Sequence, residues 1–169
     1  AQTETLDLLW TLDAVARLAR AQVLGTGKAV SFEQVEELMK VGHFVRPGPL
    51  WWGFDWESAS KQAPPGADRS IPPTGWKVEQ GAVVLVDEID KADVSVPNAL
   101  LDAFGQGRFH VEGHGTVSMK GPLAPLAVVT TNEERVLPDA FLRRCIVRQF
   151  VVKEDDYEPW LVRRGVIHR

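Results

Sequence analysis

The stretch that most restricts the fold is GAVVLVDE, Gly81 to Glu88. Its apolar run at 82–86 is rich in β-branched residues and too short for a buried helix. It reads as a strand covered on both faces, as strands of parallel sheets are. LAVVTT (126–131) repeats the pattern, and CIVRQFVV (145–152) reads as a third strand. Between them, Asp93 caps a helix whose face is Val96, Leu100, Leu101 and Phe104 and which ends at the GQG of 105–107. RFHVEGHGTVSMKG then alternates and turns like a hairpin, and Leu137 to Arg144 reads as a short helix. A last helix is expected from Glu154 to Arg164. This rhythm predicts an α/β fold: a three-layer parallel sheet with helices on both faces.

Upstream the pattern is helical. Leu8, Leu12, Val15 and Ala19 form one stripe within Thr5 to Gln22, with acids at its start and arginines near its end. Ser31 and Gln34 make a capping box for a short helix carrying Phe32, Val35 and Leu38. Residues 46–77 are rich in Trp and Pro. Four of the chain's six tryptophans lie at 51, 52, 56 and 76, and their favoured role is filling a core beside a long surface loop.

At 169 residues the chain suits one domain, and 44% hydrophobic residues suffice for a core. The net charge of −4, with no basic run, gives nucleic acid no electrostatic footprint. No apolar stretch approaches the roughly 20 residues that span a bilayer, and no signal peptide is recognisable. The lone Cys145 excludes an intrachain disulfide, so a reducing, cytoplasmic setting is expected. The lack of an initiator Met suggests a fragment.

Ligands of open parallel sheets bind at the carboxyl ends of the strands. The first strand ends in Asp87-Glu88, where a carboxylate can hold Mg²⁺ through a bound water and its neighbour can polarise a water for attack on a phosphoryl group. Acids after a strand also simply cap the next helix. The second strand ends in Asn132, whose amide suits the same water or a terminal phosphate, although an isolated Asn there is commonly a turn residue. Arg143 and Arg144 close the short helix. Either can neutralise charge on a transferred phosphoryl group, or just answer the helix dipole.

VVLVDEIDKAD, NALLDAF and VVTTNEERVLPDAFLRRC, in that order, resemble the core of an AAA+ ATPase, most closely the MoxR-like, dynein-related bacterial members. The resemblance covers mainly residues 81–150. It implies a P-loop NTPase fold over residues 1–153, lacking its phosphate-loop part, and the start of a lid region over 154–169. It makes VVLVDE the Walker B strand, with Asp87 on Mg²⁺, Glu88 as catalytic base and Asn132 as γ-phosphate sensor. Arg144 matches the arginine finger best, with Arg143 as the alternative. The implied cofactors are ATP and Mg²⁺. The implied assembly is a homo-oligomeric ring, usually hexameric, that remodels a protein partner.

One part of the pattern is missing. The family requires G-x-x-x-x-G-K-[ST], whose backbone N–H groups and lysine grip the phosphates. GTGK at 25–28 does not serve: Gln22 stands where the first glycine belongs, Ala29 replaces the hydroxyl, and a helix precedes it. The phosphate loop is therefore expected upstream of Ala1, and the chain alone is expected to be inactive. The rival reading is a non-catalytic AAA+-like scaffold. His110 and His114 have a metal-like spacing, but Gly113 and Gly115 oppose the helix it needs. Cys145 reads as a small buried hydrophobe, and Asp90 and Lys91 as local charges, with Asp90 near a subunit interface as the alternative.

Overall fold

The computed structural model describes residues 5–26, 31–64, 74–150 and 162. The chain divides into two compact units, Ala1–Pro138 and Asp139–Arg169. The first unit begins with helix α1 (Thr5–Leu9), strand β1 (Trp10–Leu12) and helix α2 (Ala14–Thr26). The single helix expected from Thr5 to Gln22 is thus broken. β1 pairs antiparallel with β2 (Val45–Pro47), burying Trp10, and the Asp13 carboxylate restarts the helix by accepting the Ala16 N–H at 2.8 Å. Val15, on the expected apolar stripe, is 80% exposed.

Helix α3 (Phe32–Leu38) carries the predicted capping box. Ser31 Oγ accepts from Gln34 N at 3.2 Å, and Gln34 Oε1 accepts from Ser31 N at 3.1 Å. A 3₁₀ turn, Val41–Phe44, leads into β2.

The core is organised around α4 (Pro49–Phe54), which buries Leu50, Trp51, Trp52 and Phe54. Pro at its first position presets the helical φ. α4 packs against α1, β2 and the following helix α5 (Trp56–Gln62). Asp55 caps α5 by accepting the Ser58 N–H at 3.0 Å and is ion-paired with Lys120 at 2.9 Å. Trp52, Trp56 and Trp76 form a chain of ring contacts, with centroids 4.8 and 5.1 Å apart. The tryptophans at 51 and 52 are core residues, while Trp56 and Trp76 are half-buried at its margin.

Strand β3 (Val83–Val86) lies directly against α4. A Cβ on Gly53 would stand 2.8 Å from Val84 Cγ2, so the absent side chain lets helix and strand meet. After β3 come a 3₁₀ turn (Ile89–Lys91) and helix α6 (Val96–Gln106), which buries Val96, Leu100 and Ala103. The N-cap of α6 is Ser95, not the expected Asp93, whose carboxylate instead accepts the Ser95 N–H at 2.8 Å. Gly107, at φ 63°, closes α6 in the left-handed region. Strands β4 (Arg108–Val111) and β5 (Gly115–Ser118) form the expected hairpin, and β6 (Leu126–Val129) pairs parallel with β3. Phe54, Phe104 and Phe109 pack edge-on or tilted, with centroids 5.5–5.6 Å apart.

The parallel component among the described residues is this single β3–β6 pair; no three-layer sheet forms among them. β3 is buried on one face, not two. Val84 and Val86 point inward, whereas Val83 and Leu85 are 68% and 60% exposed. In the second unit, α7 (Asp139–Leu142) matches part of the short helix expected there. The described part of the third expected strand, 145–150, is not a strand, and Ile146, Val147 and Phe150 are exposed. A strand needs a neighbour to satisfy its backbone, and none pairs here among the described residues. Residues 151 and 152, and the expected helix at 154–164 apart from Val162, lie outside the described residues. Among those described, no helix is long and apolar enough to cross a membrane.

Candidate functional site

The register Val83↔Leu126 to Val86↔Val129 brings two carboxyl ends together. The ladder continues one step past both strands: Thr130 N–H donates to Val86 O, and Ile89 N–H donates to Thr130 O, each at 3.0 Å. This places Thr130 beside Asp87 and Glu88. The Thr130 hydroxyl donates to Asp87 Oδ1 in a short contact and accepts the Glu88 N–H at 2.8 Å. One side chain therefore ties together both acids.

Glu88 stands in the left-handed region, at φ 52° and ψ 53°. A residue with a Cβ pays roughly 1–2 kcal/mol for this conformation. The turn is held by the Thr130 contacts and by Ile89, which is buried beneath it. The turn presents the Glu88 carboxylate to two donors. Asn132 Nδ2 and Lys91 Nζ both reach Oε1 at 2.9 Å. Lys91 also lies 3.8 Å from Glu134 Oε1. The hydrogen bond that Lys91 donates to Glu88, with help from the surrounding carboxylates, raises the Lys91 pKa above its ordinary value and so keeps it charged.

The structure thus brings Asp87, Glu88 and Asn132 into one cluster. It adds Thr130 and Lys91, which the sequence reading did not assign to it. Thr130 had a legible signal, a hydroxyl at the end of a strand paired in register with the acidic strand, but only the register shows that it faces Asp87. Asp90 is no surface charge: it is 2% exposed, with Oδ2 accepting from Asn132 N at 3.2 Å and Glu134 N at 2.9 Å. Burial pushes its carboxyl up, but the N–H donors of Glu134, of Asp90 itself and of Asn132, with the Thr131 hydroxyl, outweigh this and hold it below the usual range.

Arg143 and Arg144 belong to the second unit. Both are exposed, and both turn back on α7: Arg143 Nε donates to Asp139 O at 3.3 Å and Arg144 Nη1 to Ala140 O at 2.7 Å. Cys145, expected to be buried in a strand, is exposed just after that helix. His114 is taken up elsewhere, its ring 4.6 Å from that of Trp51 and its Nε2 3.5 Å from Ser58 Oγ. Among the described residues no group of three or more His, Cys, Asp or Glu side chains is placed to hold a metal. A fully protein-ligated ion is therefore not supported by these residues. A single exposed carboxylate such as Asp87 does fit Mg²⁺ held through its own waters, since this ion takes one or two carboxylates and leaves its other positions to water and phosphate.

Comparison of the chain with protein-family models, with curated proteins and with solved structures finds no match in any of the three.

Proposed function

We propose that this chain carries the water-activating and magnesium-handling residues of an ATP-hydrolysing site, in a MoxR-like AAA+ protein that remodels a protein partner. The observation that carries the reading is the Asn132 amide set 2.9 Å from the Glu88 carboxylate, across two parallel strand ends, with Asp87 on the adjoining residue. Glu88 is the base: its carboxylate takes up the proton as a water attacks the terminal phosphoryl group. Asn132 orients that carboxylate and the water. Asp87, steadied by Thr130, is the residue that would hold Mg²⁺, and the ion when bound would supply charge neutralisation for the phosphates.

Arg144, with Arg143 as the alternative, serves a neighbouring subunit's nucleotide in a homo-oligomeric ring. Both guanidiniums are exposed, and among the described residues each donates to a carbonyl of its own helix turn. The phosphate-gripping loop is supplied by another segment of the parent protein, because no G-x-x-x-x-G-K-[ST] occurs in these residues. A cytoplasmic setting suits the single cysteine. The same missing motif favours the second reading, a non-catalytic AAA+-like scaffold.

Glu88→Gln in the parent protein decides between them. A lost base costs roughly 10²–10⁴ in rate. Hydrolysis is expected to fall by that factor while ATP binding persists. Hydrolysis at the parental rate removes Glu88 from the role, and a parent without ATP binding leaves the scaffold.

A further inference from the structure

Asp90 does something the reaction scheme above leaves unassigned. It lies in the 3₁₀ turn after β3 and is 2% exposed. A carboxylate buried this far is costly unless donors surround it. Apart from its own N–H, its donors come from the turn that follows β6. Oδ2 accepts the N–H groups of Asn132 and Glu134 at 3.2 and 2.9 Å. Between them Glu133 takes the left-handed conformation, φ 61°, and its own N–H goes to Thr131 Oγ1 at 3.0 Å. Successive N–H groups flanking a left-handed residue form a concavity suited to an anion. Here the anion is the protein's own side chain.

The far end of this turn is tied down separately, by Arg135 Nη1 donating to Ala92 O at 3.0 Å. The start continues the β3–β6 ladder at Thr130. Among the described residues, Asp90 supplies the only hydrogen bond to the Asn132 main chain, and the Asn132 side chain in turn meets Glu88. Among the described residues Oδ1 of Asp90 is buried without a hydrogen-bond partner, while Oδ2 takes both N–H groups of the turn.

We propose that Asp90 is a positioning residue that fixes the turn at 131–134 and thereby holds the Asn132 amide against Glu88. The inference rests on the reading of Glu88 and Asn132 as working residues. Asp90 itself makes no hydrogen bond to Glu88, so its effect passes through the backbone of the turn.

The test has two arms. The first uses NMR on this chain and follows the backbone N–H groups of Asn132 and Glu134 and the Asn132 side-chain amide. Asp90→Ala is expected to speed exchange of the two backbone amides by roughly tenfold, the scale of a lost hydrogen bond to a charged group. It is also expected to move the side-chain amide signals to solvent-like positions, with the Val83–Val86 amides unchanged. Asp90→Asn keeps a carbonyl oxygen for the same donors and should restore most of the parental spectrum. It serves as the deciding variant if Asp90→Ala does not fold: a parental Asn132 side-chain signal with mildly faster backbone exchange supports the proposal. Unchanged Asn132 signals in a folded Asp90→Ala overturn it, and so does an Asp90→Asn spectrum in which exchange at the Asn132 and Glu134 backbone amides is fully parental where Asp90→Ala does not fold.

The second arm measures hydrolysis in the parent protein. Asp90→Ala should lower kcat as far as Asn132→Ala does, with KM little changed, and the double variant should be no worse than either. Additive losses overturn the positioning role. A parent that hydrolyses no ATP sinks the reading of Glu88, while the NMR arm still decides what Asp90 does.

Discussion

Thr130→Val isolates the residue that ties the two acids together. Valine keeps the shape and the strand preference, so β6 itself is not weakened. What goes is a hydroxyl that donates to Asp87 Oδ1 and accepts the Glu88 N–H at 2.8 Å. A hydrogen bond in a folded protein contributes about 0.5–1.5 kcal/mol net, and more where one partner is ionised. Both contacts are exposed, so water replaces part of each. The sum is about 1–2 kcal/mol. It falls on a turn that already carries the left-handed Glu88, at φ 52°. For a chain of this size each kcal/mol moves Tm by roughly 2–4 °C, which puts the expected loss at about 2–8 °C. Thermal unfolding followed by circular dichroism reads it. Thr130→Ser, which keeps the oxygen, should recover most of the loss, and amide exchange at Glu88 should quicken in Thr130→Val alone. If Thr130→Val melts with the parent, or Thr130→Ser is as damaged as Thr130→Val, the bridging role is refuted.

Two further outcomes are expected. Gly48→Ala should destabilise the chain by about 1–3 kcal/mol, because its Cβ would lie 2.6 Å from the carbonyl oxygens of both Asp7 and Leu8, rigid backbone that cannot step aside; urea titration measures it. The pH dependence of stability should carry two separable limbs. Lys120 is raised by its hydrogen bond to Asp55, so its contribution is complete below the ordinary lysine pKa and disappears as pH climbs through the folded value above it. Asp90 is held low, so its contribution is complete above the ordinary aspartate pKa and disappears as pH falls through the lower folded value. In melts taken across pH, Lys120→Met should shrink the alkaline limb, leaving the part due to Lys91. Asp90→Asn should shrink the acid limb, leaving the part due to the other lowered carboxylates Glu37, Glu57 and Asp93.

Local chemistry was legible in the residues, and distant pairing was not. The capping box at Ser31 and Gln34, the helix face of Val96 and Leu100, and the hairpin at 108–118 each depend on near neighbours, and each formed. The break at Trp10–Leu12 depends on Val45–Pro47, more than thirty residues away, and helical spacing in the first segment says nothing of it. The run at 82–86 gave the strand but overstated its cover, because alternate residues of β3 face solvent. At 145–150 a second run, apolar but for Arg148 and Gln149, found no ladder among the described residues, for composition supplies the preference and only a neighbour supplies the hydrogen bonds. The carboxylates and the amide could be named from their places after strands. Thr130 and Asp90 could not, since their roles come from register and from a turn folded around a buried oxygen.

The backbone at position 88 has a consequence for anyone engineering this chain. Stability screens favour glycine or asparagine wherever φ is positive, and a glutamate there would be among the first residues exchanged. In such a variant, relief of roughly 1–2 kcal/mol of left-handed strain would offset much of the lost hydrogen bonding, and the carboxylate on which Asn132 and Lys91 converge would be gone. Ranking variants by thermal tolerance alone would thus steer directly toward an emptied site.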